Sequence, residues 1–128
     1  MVKDRGKERS GNEDVVLEYF RLMANKDIDN LLELFADDAV IYEPFSKTGG
    51  LVGKDMIEPF LRVAMMANEG LQRTIVIEKD QYSGKVMTAL VTFEGGERVK
   101  GRFTFDFDAG KSLNGKDVKI KALHIQFI

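Results

Sequence analysis

The chain has 128 residues, no cysteine and a formal net charge of −2, with 19 Lys and Arg against 21 Asp and Glu. This length supports one domain with one core, large enough to contain a cavity but too short for two domains. The near balance of charge argues against nucleic acid and anionic membranes as partners, and the lack of cysteine excludes disulfides. His124 is the only imidazole. The composition therefore argues against a structural zinc site, and no metal or other cofactor is expected.

The first eleven residues are charged and lack the apolar core of a signal peptide. We expect a flexible tail over residues 1–11 and a single domain over residues 12–128. No window approaches the roughly 20 apolar residues that cross a bilayer. These features favour a cytoplasmic protein.

Two short amphipathic helices are predicted first. The apolar residues of the first recur at i, i+3, i+4 and i+7, namely Val16, Tyr19, Phe20 and Met23. The spacing repeats in a second set, Ile28, Leu31, Leu32 and Phe35. Ser10 followed by Glu13 resembles a capping box for the first helix, and Asp27 can cap the second. The pair Asp37-Asp38 is expected to end the second helix.

A strand and a third helix are predicted next. A strand is predicted over residues 39–43, because Val40, Ile41 and Tyr42 are β-branched or aromatic, and Pro44 ends the strand. The third helix is expected to begin near Asp55, which would leave Pro59 within its first turn, where proline is tolerated. Its apolar stripe is Ile57, Phe60, Leu61, Ala64 and Met65.

From residue 71 onward the pattern predicts a meander of four antiparallel strands, over 72–79, 85–94, 97–108 and 117–128. Glycine-containing connections separate them, at Ser83-Gly84, Gly95-Gly96 and Gly110 to Gly115. In the last strand the apolar parity flips near Ala122, which indicates either a β-bulge or a strand buried on both faces. Helices followed by an antiparallel sheet predict an α+β fold with the helices on one face.

The chain resembles the cone-shaped domains related to nuclear transport factor 2, which include SnoaL-type polyketide cyclases and ketosteroid isomerases. The segments VVLEYF, DIDNLLELFADDAVIYEP, GKDMIEPF and KIKAL carry the resemblance, in the order helix, helix, strand, helix, four strands. It implies a cystatin-like cone, in which three N-terminal helices pack on a strongly curved, mostly antiparallel sheet. It also implies a small apolar ligand inside the cone and a homodimer formed through the sheet.

The isomerase motif is only partly present. Its general base is an aspartate just before a proline on the first strand, where this chain keeps a carboxylate as Glu43, and its phenol donor matches Tyr19. Its second donor, a protonated aspartate, falls on Phe103, or on Thr104 if the register slips by one, so that acid is absent. The tyrosine that supports the phenol corresponds to Leu61. Because one lost donor costs about 10²- to 10³-fold in rate, a competent steroid isomerase is disfavoured.

Three further expectations concern the pocket. His124 either lines it and pairs with Glu43, or is turned outward by the parity switch. Tyr19 and Glu43 also have structural alternatives, as a core aromatic and as a solvated carboxylate at a strand end. The expected wall of the pocket consists of Phe60, Leu61, Met65, Phe103, Phe105 and Ile120.

Two hypotheses for function follow. In the first, Glu43 moves a proton next to a carbonyl in an isomerase-like or cyclase-like step, with Tyr19 steadying the oxyanion and His124 assisting. In the second, the domain binds a small ligand or a second copy without chemistry, consistent with the missing acid.

Overall fold

The computed structural model describes residues 11–44, 49–70, 72–79, 86–94, 98–107 and 118–128. Within them lie three helices, α1 (Gly11–Ala24), α2 (Ile28–Glu33) and α3 (Lys54–Ala67). The strands are β1 (Phe35–Tyr42), β2 (Leu51–Val52), β3 (Gln72–Lys79), β4 (Val86–Glu94), β5 (Arg98–Phe107) and β6 (Ile120–Phe127). Residues 1–10 of the expected N-terminal tail, which include the capping residue Ser10, lie outside the described residues, as do the three glycine-containing connections of the meander. Gly11, expected as the last residue of the tail, is the first residue of α1.

The six strands form one open sheet in the order β2-β1-β6-β5-β4-β3. The four C-terminal strands pair as consecutive antiparallel neighbours, so the predicted meander is confirmed. β1 lies beside β6 and pairs with it in parallel. The sequence gives no local signal for this last contact, because the two strands are distant in the chain.

The helices cover one face of the sheet, which we call the inner face; the opposite face is the outer face. The core between them contains the predicted stripe of α1, with Val16, Tyr19, Phe20 and Met23 all buried. On α3 the fully buried residues are Ile57, Leu61 and Met65, while Phe60 and Ala64 pack at the edge of the core. The α+β architecture is therefore confirmed.

The boundary between α2 and β1 differs from the prediction. The helix ends at Glu33, and Phe35 opens β1 instead of completing the helical stripe. Phe35 is buried and pairs with Ile120, and the register of β1 then shifts before Val40. The exposed pair Asp37-Asp38 lies in this irregular stretch, so it belongs to the strand and not to a helix end. The predicted cap is present, since the Asp27 carboxylate accepts a hydrogen bond from the Asn30 N–H at 3.3 Å.

The start of α3 agrees with the prediction of a start near Asp55, but the position of Pro59 in the helix differs from the prediction. The helix begins at Lys54, so Pro59 is its sixth residue and lies beyond the first turn. Proline has no N–H, and the Asp55 carbonyl therefore lacks its usual helical partner. Asp55 is exposed, so water can occupy that position.

The parity flip in the last strand is a β-bulge. Ile120 pairs with Phe107 and Ala122 pairs with Asp106, so Lys121 is the extra residue in β6. Beyond the bulge, Leu123 and the alternate residue Ile125 are buried on the inner face. His124, the residue between them, consequently lies on the outer face.

Candidate ligand cavity and active site

A cavity of about 630 Å³ lies between α1, α3 and the inner face of the sheet. Its wall is mostly apolar: Tyr19, Phe20, Met23, Glu43, Pro44, Pro59, Phe60, Val63, Ala64, Ala67, Asn68, Arg73, Phe93, Val99, Phe103, Ile125 and Phe127. Four polar side chains are among these described residues, namely those of Tyr19, Glu43, Asn68 and Arg73. An apolar hollow with a few polar groups is typical of a small-molecule site.

Tyr19 is held in the cavity wall by aromatic neighbours. Its ring meets Phe20 and Phe105 edge to face, with centroids 5.0 Å and 5.3 Å away. Only 1% of the residue is exposed, and its hydroxyl has no hydrogen-bond partner among the described residues. Burial raises the pKa of Tyr19, and the charge of Arg73 opposes this to a smaller extent. The phenol is therefore neutral at physiological pH and able to donate.

Glu43 faces the cavity because side chains along β1 alternate between the two faces of the sheet. Ala39 and Ile41 are fully buried on the inner face, and Glu43 has the same parity one residue beyond the strand. It is half-buried and lines the cavity next to Pro44. The structure thus brings Glu43 and Tyr19 to one cavity, as the sequence predicted, while their chemical roles stay predictions.

His124 lies on the outer face, the second of the two orientations that the sequence allowed. Its ring stacks on Tyr42, with centroids 4.5 Å apart, and its Nε2 is 3.8 Å from the nearer Asp106 carboxylate oxygen. The bulge at Lys121 accounts for this orientation, because it sets the parity of the residues that follow. His124 therefore does not share the cavity with Glu43.

The expected wall residues divide into two groups. Phe60 and Phe103 line the cavity. The other four, Leu61, Met65, Phe105 and Ile120, are buried in the core and are not part of the wall. The prediction did not separate core from wall because both carry the same apolar periodicity.

Several wall residues were missed by the sequence reasoning. On α3 they lie beside the buried stripe, at Val63 and Ala67, at helical spacing from Phe60. On the sheet they lie near the strand ends, at Phe93, Val99, Ile125 and Phe127. Arg73 was also missed, although its parity with Ile75 and Ile77 marks it as an inner-face residue.

The inner face of β5 offers no second acid. Phe103, Phe105 and Phe107 are buried along it, and Thr104 lies on the other face, where it pairs with His124. Either alignment of the isomerase motif therefore leaves Tyr19 without a carboxylic acid beside it on this strand.

Among the described ranges, no three His, Asp or Glu side chains are grouped so that they can hold a metal ion. None of the helices described is long and apolar enough to cross a membrane.

Residues 16–119 match the family model of the SnoaL-like domain. The chain belongs to the SnoaL-like domain family. No curated protein matches it. The fold comparison confirms the resemblance and gives a cystatin-like, nuclear transport factor 2-like α+β fold.

Three solved structures illustrate the likeness. A steroid delta-isomerase from Pseudomonas aeruginosa aligns with TM-score 0.72 and 17% identity, over 94% of this chain and 81% of that one. A protein proposed to be a SnoaL-like polyketide cyclase, from Shewanella putrefaciens, aligns with TM-score 0.69 and 14% identity, over 98% of this chain and 84% of that one. A protein of unknown function with a cystatin-like fold, from Methylobium petroleophilum, aligns with TM-score 0.69 and 20% identity, over 91% of this chain and 75% of that one. At these identities the likeness establishes the fold alone.

Proposed function

We propose that this SnoaL-like domain binds a small, largely apolar carbonyl compound in its cavity and moves a proton at the carbon next to the carbonyl. Tyr19 donates a hydrogen bond to the carbonyl oxygen, and Glu43 takes the proton. The observation that carries the proposal is the buried Tyr19 hydroxyl, which lacks a partner among the described residues and belongs to a side chain in the same cavity wall as Glu43.

The Tyr19 hydroxyl stabilises a bound ligand by donating a hydrogen bond to an oxygen of that ligand. A buried hydroxyl without a partner costs about 1–3 kcal/mol, and a ligand oxygen that accepts from it removes this cost. The hydroxyl oxygen is closed to solvent in the free protein, so a ligand oxygen reaches it only when neighbouring side chains move aside. Since the phenol stays protonated, the bond strengthens as negative charge develops on the ligand oxygen.

Glu43 provides the base. A carboxylate in an apolar wall can take a carbon-bound proton from a ligand held against it. If a C=C bond is conjugated with the enolate, return of the proton from Glu43 to the far carbon of the conjugated system moves the double bond, which is an isomerisation. If the enolate carbon instead attacks a second carbonyl of the same molecule, a C–C bond forms and the resulting alkoxide takes the proton back from Glu43, which is a cyclisation. Neither step needs a co-reactant. The likeness to a steroid delta-isomerase and to a proposed polyketide cyclase supports this class of reaction.

A second candidate function is ligand binding without chemistry. The observation that favours it is the inner face of β5, where phenylalanines occupy the positions at which a second donor would act. One missing donor typically lowers the rate of such a step by about 10²- to 10³-fold.

The two functions are separated by proton exchange at the carbon next to a carbonyl. The probe is α-tetralone, an apolar bicyclic ketone, incubated with the protein in D₂O and followed by NMR. We expect the protein to accelerate deuterium uptake, and Glu43→Gln to lower this acceleration by about 10²- to 10⁴-fold without weakening binding. The matched control is Glu78→Gln, which removes the same charge from an exposed residue of β3.

Each outcome of this experiment decides something. Acceleration that survives in Glu43→Gln would remove Glu43 from the mechanism. Binding of tetralone in the cavity with no accelerated exchange, extended over a panel of enolisable ketones, would select the non-catalytic function. Absence of any binding across the panel would contradict both.

A further inference from the structure

Arg73 is a charged residue that lies on the inner face of β3 beside the aliphatic residues Ile75 and Ile77. It has the same parity as Ile75 and Ile77, which pack against the core, whereas the alternate residues of the strand are exposed. Its side chain is half-buried and lines the cavity. A guanidinium placed against an apolar wall has lost part of its hydration, so it gains more from an anionic partner than an exposed one does.

Within the described part of the chain, the guanidinium of Arg73 makes few polar contacts that would replace its lost hydration. Its Nη2 donates to the Phe20 carbonyl at a long 3.4 Å. No carboxylate of a described residue forms an ion pair with it, although a guanidinium has five N–H donors. The amide of Asn68, at the C-terminal end of α3, lines the same cavity and forms no side-chain hydrogen bond with the described residues. Arg73 and Asn68 therefore both present hydrogen-bond donors to the cavity.

Glu43 and Arg73 lie on opposite sides of the cavity. Glu43 follows β1 and Arg73 is in β3, and the strands β6, β5 and β4 separate these two in the sheet. The wall between them is apolar, with Phe93, Phe103 and Ile125. A ligand that spans the cavity thus meets a carboxylate at one end and a guanidinium at the other.

We propose that the ligand is an apolar acid, and that Arg73, assisted by Asn68, binds its carboxylate at the end of the cavity opposite Glu43. The inference rests on the proposed small-molecule site and narrows its ligand. Arginine binds carboxylates through two parallel N–H···O bonds, and such charge-assisted bonds are the strongest that this wall can make. In the proton-transfer reaction this contact places the reacting carbonyl at the far end of the ligand, away from its own negative charge.

The test compares octanoate with n-octanol, which have the same apolar chain and differ in the head group. NMR titrations follow the methyl signals of the wall residues Val63, Ala67 and Val99. For the wild type we expect octanoate to bind about 10-fold or more tightly than octanol. Arg73→Met keeps a side chain of similar length and should abolish this preference, so that octanoate no longer binds more tightly than octanol. Arg73→Lys keeps the charge but loses the bidentate geometry, so it should retain part of the preference.

The control is Arg102→Met, which removes the same charge from an exposed position on the outer face of β5. It should leave the preference for octanoate intact. Equal affinity of the wild type for octanoate and octanol would overturn the inference about Arg73 but would still agree with an apolar binding site in the cavity. This comparison uses the wild-type protein alone. A preference that persists in Arg73→Met, or disappears in Arg102→Met, would also overturn it. Failure of both probes to bind the wild type would contradict the cavity as a binding site, and the present inference with it.

Discussion

Substitution of Tyr19 by Phe is the sharpest perturbation that the cavity offers, because it deletes one oxygen and retains the ring. The ring contacts with Phe20 and Phe105 stay, and only the unpartnered hydroxyl is lost. Since that hydroxyl is buried without a partner among the described residues, Tyr19→Phe should raise the free energy of unfolding of the unliganded protein by about 1–3 kcal/mol. This corresponds to a rise of at least about 3 °C in the melting temperature.

The same substitution should weaken binding of a ligand oxygen. We compare β-naphthol with naphthalene, which lacks the hydroxyl, in calorimetric titrations of both proteins. The wild type should prefer β-naphthol, and Tyr19→Phe should lose about 10-fold in affinity for β-naphthol but none for naphthalene. The control is Tyr42→Phe, on the outer face, which should change neither. A lower melting temperature for Tyr19→Phe, or an equal loss for both ligands, would refute the reasoning that the hydroxyl is unsatisfied until a ligand binds.

Three further predictions follow from the described geometry. Burial raises the pKa of Tyr19 above its ordinary value of 10.0, so above pH 10 the unfolded state binds fewer protons at this site than the folded state. Wild-type stability should therefore fall relative to Tyr19→Phe by up to about 1.4 kcal/mol per pH unit in denaturant titrations, and parallel pH profiles would contradict this. Gly50→Ala should cost about 1–3 kcal/mol, because φ is +120° and a Cβ would lie 2.7 Å from Val40 Cγ1. Gly49→Ala, with no atom within 4 Å of its Cβ, should change stability by less than about 0.5 kcal/mol, and equal effects would show that Gly50 is not strained. His124→Ala should leave ligand affinity and proton exchange unchanged, since the imidazole lies on the outer face; a large loss of exchange would return it to the mechanism.

Much of the architecture is encoded locally and was accessible from the sequence. The stripe of α1, the cap at Asp27, the antiparallel meander and the bulge near Ala122 each depend on neighbours within a few residues. The helical assignment of Phe35 failed because a residue at helical spacing from Leu31 and Leu32 also suits the first position of a strand. Its pairing with Ile120, far along the chain, decided the outcome.

The candidate site was accessible only in part, for a related reason. Parity and the following Pro44 placed Glu43 correctly on the inner face, and the stripe of α1 did the same for Tyr19. Periodicity cannot distinguish a residue that fills the core from one that borders a hollow, so Leu61 and Phe105 were expected in the wall. The orientation of His124 depended on which residue of the bulge is the extra one, which the pattern alone left open.

The most direct measurement of the central claim is a crystal structure of the protein with bound β-naphthol. We predict density for the naphthol inside the cavity, with its oxygen within about 3 Å of the Tyr19 hydroxyl and its ring edge facing Glu43. Naphthol bound only on the outer face, or bound in the cavity with its oxygen directed away from Tyr19, would contradict the claim.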